Sequence, residues 1–111
     1  MKSIGHFING KEISGKSDRR GKVFNPATGE VQAEVAYADR SELDNAVALA
    51  KEAQEKWSEV NPQKRAREIM KFVDLLHRDM KKLAEVLSSE HGKTLPDAEG
   101  DIIRGLEVAE F

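Results

Sequence analysis

Apolar residues in this chain change their spacing near residue 38, from alternation to a helical repeat. Ahead of that point, His6-Phe7-Ile8 and Lys11-Glu12-Ile13 flank Asn9-Gly10. This dipeptide tolerates positive φ at both central positions of a tight turn, so a β-hairpin is predicted. Lys22-Val23-Phe24 reads as a short extended segment. Asn25-Pro26-Ala27-Thr28-Gly29-Glu30 ends it as a turn, Pro26 fixing φ and Gly29 free to take a left-handed conformation. Val31, Ala33, Val35 and Tyr37 then alternate with Gln32, Glu34 and Ala36, the period of two expected of a half-buried strand.

Past residue 38, Asp39 or Ser41 supplies a side chain for the first orphan N–H groups of a helix, and Leu43, Ala46, Val47, Ala50 and Trp57 fall on one stripe. Trp57 is expected in the core of that stripe rather than as a stacking platform. Asn61-Pro62 opens a second helix, capping side chain first and proline at the first helical position, with Ala66, Ile69, Met70, Val73 and Leu76 as its apolar face. Met80, Leu83, Ala84 and Leu87 make a third stripe that starts near Asp79 and stops at Gly92, a residue suited to a left-handed C-terminus. Thr94 and Pro96 reopen a fourth helix with Ile102, Ile103, Leu106 and Ala109 apolar. The pattern runs to Phe111 without a cap, a glycine or a polar tail, leaving terminal carbonyls unpartnered. A segment of a longer chain is therefore expected, the alternative being a natural helix end that frays. Strands and turns over 1–37 followed by about four helices over 39–111 predict one α+β unit or the opening of a larger α/β domain.

At 111 residues the chain is one small domain's worth of sequence, able to bury roughly 65% of its unfolded surface. Lys and Arg number 18 against 20 Asp and Glu, which lacks the one-sided basic balance of a nucleic-acid binder. Apolar runs are far shorter than the ~20 residues of a membrane span. Met1 to His6 lacks the apolar stretch of a secretory signal, so a soluble, cytoplasmic protein is expected. In a eukaryote the mitochondrial matrix would be the alternative, although no transit peptide is seen. The absence of cysteine removes a disulfide framework, a thiolate zinc site and a thiol nucleophile together. His6, His77 and His91 show no metal-ligand spacing and read as surface histidines.

Candidate chemistry is sparse. No G-x-G-x-x-G follows a strand, and Gly10-Lys11 and Gly92-Lys93 lack the spacing of a phosphate-cradling loop. Glu52 with Glu55, and Asp97 with Asp101, lie at helical spacings that solvated charge explains. Glu52 and Lys56 are ordered for an i,i+4 pair worth ~0.3 kcal/mol. Arg104 stands apart: it precedes Gly105, which would let another backbone approach, and a guanidinium there can grip a carboxylate bidentately. The competing reading is an exposed arginine paired with Glu107 or Glu110.

Phe7-Ile8-Asn9-Gly10-Lys11, then Phe24-Asn25-Pro26-Ala27-Thr28-Gly29-Glu30-Val31, then Ala46-Val47-Ala48-Leu49-Ala50 ahead of Trp57, resemble the opening of the aldehyde dehydrogenase superfamily. Arg65-Ala66-Arg67 and Glu90-His91-Gly92-Lys93 extend the resemblance along essentially the whole chain. The tail Arg104-Gly105-Leu106-Glu107-Val108-Ala109-Glu110-Phe111 is similar to the methylmalonate-semialdehyde dehydrogenase subfamily. The resemblance implies an α/β enzyme with a Rossmann-type cofactor domain, of which residues 1–111 form the N-terminal part, joined to a catalytic domain and an oligomerisation arm in a homo-oligomer, a tetramer. It implies NAD as cofactor and coenzyme A as co-substrate. A thiolate would attack the aldehyde, hydride would pass to NAD, and coenzyme A would take the acyl group, malonate or methylmalonate semialdehyde yielding acetyl- or propionyl-CoA. The family's catalytic cysteine, general-base glutamate, oxyanion-hole asparagine and nucleotide-binding residues all fall beyond Phe111, so 1–111 alone is expected to be inactive. Arg104 is the one residue to which the resemblance assigns a role, recognition of the substrate acid. A free-standing interaction module, or another aldehyde dehydrogenase subfamily, is the alternative.

Overall fold

The computed structural model describes residues 1–111. The chain divides into two compact units, residues 1–24 with 29–59, and residues 25–28 with 60–111.

The first unit carries every strand. β1 (Lys2–Ile4), β5 (Val31–Ala36) and β4 (Arg20–Phe24) form a three-stranded sheet in that order, β5 running parallel to β1 and antiparallel to β4. β2 (His6–Ile8) and β3 (Lys11–Ile13) form the expected hairpin, with Asn9 at φ 54° and Gly10 at φ 75° in the turn. Both positive angles are those an Asn-Gly two-residue turn requires. Helix α1 (Arg40–Ser58) belongs to this unit too. Its N-terminus is closed by a capping box, in which the Asp39 carboxylate accepts from the Glu42 N–H at 2.8 Å and the Glu42 carboxylate accepts from the Asp39 N–H at 3.0 Å.

Two expectations fail here. β5 does not bury one face only, because Ala33 and Ala36, residues of opposite parity, are its buried pair while Tyr37 is exposed. At Ala36 the cover is Gly15, which comes so close that a Cβ on it would lie 3.2 Å from the Ala36 methyl. The α1 stripe is not a core within this chain either. Leu43, Val47 and Trp57 are 54%, 59% and 41% exposed, and the one buried residue of the helix is Glu42. Within residues 1–111 the hairpin covers only part of the helix's apolar side: Ala46 and Leu49 are half-buried facing Phe7 and Ile8, while Leu43, Val47 and Trp57 stay open.

The second unit is helical: α2 (Pro62–Arg78), α3 (Met80–His91) and α4 (Leu95–Glu110), with α4 packed on both α2 and α3. The Asn61 side chain accepts from the Gln63 N–H at 2.8 Å, Pro62 follows in the first turn, and Thr94 caps α4 through the Asp97 N–H. Gly92 ends α3 at φ 88° and returns its N–H to the Ser88 carbonyl at 2.8 Å. Buried residues are Val73, Ala84, Ala98 and Leu106. Small side chains on α3 and α4 let the helices approach closely, and Ile69, Met70, Phe72, Leu75 and Ile103 are left exposed.

Candidate functional site

Arg104 sits in the third turn of α4, on the side of the helix away from buried Ala98 and Leu106, and its side chain is 71% exposed. Its partner is neither Glu107 nor Glu110. Arg104 Nη2 donates to Asp101 Oδ1, one turn earlier. The other oxygen of Asp101, Oδ2, accepts from Lys93 Nζ. Lys93 lies just past the Gly92 stop, and its carbonyl accepts from the Ser88 hydroxyl at 2.6 Å. Two cations hold the Asp101 carboxyl below the usual aspartate range, Lys93 foremost and Arg104 next. Asp101, read from sequence as solvated charge, is thus the centre of an ion network. Its i,i+3 spacing to Arg104 was legible. Its tie to Lys93, reached across the α3–α4 corner, was not. Gly105 makes no close approach: a Cβ there would meet nothing within 4 Å in this chain.

The strand unit holds a second polar centre that the sequence pattern did not flag. Besides the capping box, buried Glu42 accepts from the Lys16 N–H at 2.6 Å, so one carboxylate joins the β3–β4 connection to the start of α1. His6, expected at the surface, has a side chain only 17% exposed; its Nε2 is buried 4.0 Å from the Glu42 carboxylate and has no hydrogen-bond partner. A cavity of about 250 Å³ opens beside Glu42, lined also by Ile8, Ile13, Gly15 and Lys16. The expected Glu52–Lys56 pair is absent from the ion pairs formed, whereas Arg40 and Asp44 pair at 3.0 Å. Exposed pairs gain so little that either arrangement is unexceptional.

The residues present do not suit a dinucleotide phosphate. Such a group sits on free N–H groups where a strand turns into a helix. Here the Asp39 carboxylate already takes the Glu42 N–H at the start of α1, and Glu42 adds a second negative charge. Gly10, Gly15, Gly29 and Gly92 take positive φ in turns, connections or a helix end, and none opens a helix beside a strand.

Residues 13–111 match the aldehyde dehydrogenase family, and the chain belongs to it. Its α/β fold is that of the corresponding segment in solved members. A Sinorhizobium meliloti protein assigned as a methylmalonate-semialdehyde dehydrogenase and solved with NAD superposes with a TM-score of 0.97 at 59% identity, over 100% of this chain and 23% of that one. Malonate-semialdehyde dehydrogenase of Listeria monocytogenes is 40% identical over 100% of this chain and 23% of its own length. The human mitochondrial methylmalonate-semialdehyde/malonate-semialdehyde dehydrogenase [acylating] is 39% identical over 94% of this chain and 19% of its own length. The chain thus spans about a quarter of the relatives it matches. No helix is long and apolar enough to cross a membrane.

Proposed function

We propose that residues 1–111 serve as the N-terminal part of the cofactor domain of an NAD-dependent, coenzyme A-acylating methylmalonate/malonate-semialdehyde dehydrogenase, working as a cytoplasmic homo-oligomer, a tetramer. The observation that carries this reading is 59% identity along the whole chain to the Sinorhizobium meliloti protein. In this reading the segment contributes scaffold and substrate recognition, and the reacting groups come from the rest of the enzyme. Without a cysteine the segment has no thiolate to form an acyl intermediate. The exposed apolar residues of α1 and α2 support the same view, since Val47 at 59% and Met70 at 64% exposure are surfaces of the kind a neighbouring domain or subunit covers.

Arg104 is the recognition residue of this proposal. Asp101 engages one of its nitrogens, and a guanidinium carries five N–H donors, so its outward side remains available to a carboxylate. A charge-assisted contact of about 1.5–3 kcal/mol would favour a semialdehyde over a plain aldehyde by roughly one to two orders of magnitude. The test of the overall reading is NADH formation from methylmalonate semialdehyde by the full-length enzyme, with and without coenzyme A. Turnover that requires coenzyme A and releases propionyl-CoA is expected, while the 111-residue chain alone gives none. Release of free methylmalonate, or turnover by the isolated chain, would overturn it.

A further inference from the structure

Asp101 divides its two oxygens between two cations, Lys93 on Oδ2 and Arg104 on Oδ1. The two ends of this trio differ in exposure: Lys93 and Asp101 side chains are 31% and 29% exposed, Arg104 is 71%. Lys93 is fixed by its surroundings, because the Gly92 turn at φ 88° sets its backbone and its carbonyl takes the Ser88 hydroxyl. Asp101 is fixed in turn by Lys93, and Arg104 alone reaches outward. Charge matters as much as geometry. An isolated Asp–Arg pair is neutral and would offer a substrate anion little attraction, but with Lys93 included the trio carries a net charge of about +1 at neutral pH.

Resting on the reading of Arg104 given above, the geometry points to Asp101 as a positioning residue, one that holds the Arg104 guanidinium in place for the substrate carboxylate while Lys93 keeps the cluster cationic. A flexible arginine would lose rotamer freedom on gripping its ligand, and a guanidinium already pinned at one nitrogen loses less. Asp101 touches no reacting atom in this scheme, and its effect passes through Arg104.

The experiment compares Asp101→Asn, Arg104→Ala and the double variant in the full-length enzyme, on methylmalonate semialdehyde and on propionaldehyde. Asp101→Asn is expected to raise KM for the semialdehyde about tenfold, to leave kcat nearly unchanged, and to leave propionaldehyde kinetics unaltered. Asp101→Glu, which retains both cations as partners, should recover part of the loss, and Asp101→Asn should add nothing to Arg104→Ala. If Asp101→Asn does not fold, Lys93→Met carries the test, since neutralising the trio should raise the same KM. Equal losses on both substrates, or a lower semialdehyde KM in Asp101→Asn, would overturn the inference. A selective loss in Arg104→Ala with none in Asp101→Asn would overturn this inference alone. An Arg104→Ala enzyme that keeps its preference for the semialdehyde would overturn the reading of Arg104 as well.

Discussion

In the strand unit the buried positions are Gly21, Ala33, Ala36 and a carboxylate, Glu42, whereas in the helical unit they are Val73, Ala84, Ala98 and Leu106. The first set has almost no apolar volume. Its elements meet through backbone: a Cβ on Gly5 would collide with the Ile13 carbonyl, and one on Gly21 with the Tyr37 ring. The sheet is then tied to α1 by the amides that Glu42 satisfies. The second set is conventional side-chain packing in which alanines bring α3 and α4 together and Leu106 fills the space on α4. Two neighbouring stretches of one sequence thus reach stability by different routes, polar satisfaction in one and apolar contact in the other. That difference dictates which substitutions each tolerates.

The largest effect separating them is expected at Leu106, which is 3% exposed. Leu106→Ala should cost about 2–5 kcal/mol through lost transfer energy and a residual cavity, read as a lower urea midpoint with an unchanged m-value. A cost under about 1 kcal/mol would mean that the helical unit does not depend on packing and would dissolve the contrast.

Glu42 is the corresponding test of the strand unit. Glu42→Ala strands the Lys16 and Asp39 N–H groups, at about 1–3 kcal/mol for each donor that water cannot reach. Glu42→Gln, which keeps one acceptor oxygen, should cost less. Amide exchange at Lys16 and Asp39 is the measurement. Unchanged protection in Glu42→Ala would show that the carboxylate is incidental.

A smaller effect distinguishes the two units by their acids. Asp39 is held below the usual aspartate range chiefly by the Glu42 backbone N–H and then by the Ser41 hydroxyl, and Asp101 chiefly by Lys93 and then by Arg104. Both pKa values are lowered on folding, so the stability each contributes is present above about pH 4 and is lost as pH falls below it, through the folded value. Salt screens cation–anion attraction far more than a local backbone hydrogen bond. Carboxyl titration followed by NMR should therefore show the Asp101 pKa rising with added salt while that of Asp39 stays nearly fixed. Parallel shifts would contradict the assignment of their causes.

Much of this was legible from local pattern. The Asn9-Gly10 hairpin, the Asn61-Pro62 start of α2 and the Gly92 stop of α3 are each dictated by two or three adjacent residues, and each formed where expected. β1 was not foreseen, because Lys2-Ser3-Ile4 has no period of its own and becomes a strand only by pairing in parallel with β5, some thirty residues away in sequence. Trp57 departs from expectation for a related reason: periodicity identifies the apolar side of a helix but not what lies opposite it, and the chain leaves Trp57 41% exposed. At the candidate site, Arg104 was singled out from the sequence, while its partner was misread. Asp101, Glu107 and Glu110 all lie within a helical turn or two of it, and only the Lys93 contact across the corner orders the choice in favour of Asp101.

In the proposed function this cysteine-free segment supplies the residue that reads the substrate's acid. The most direct measurement is kcat/KM of the full-length enzyme and its Arg104→Ala variant on methylmalonate semialdehyde and on propionaldehyde. Loss of about 10- to 100-fold on the semialdehyde, with propionaldehyde unchanged, is the predicted result. An equal loss on both substrates would contradict the claim and leave Arg104 as a structural partner of Asp101.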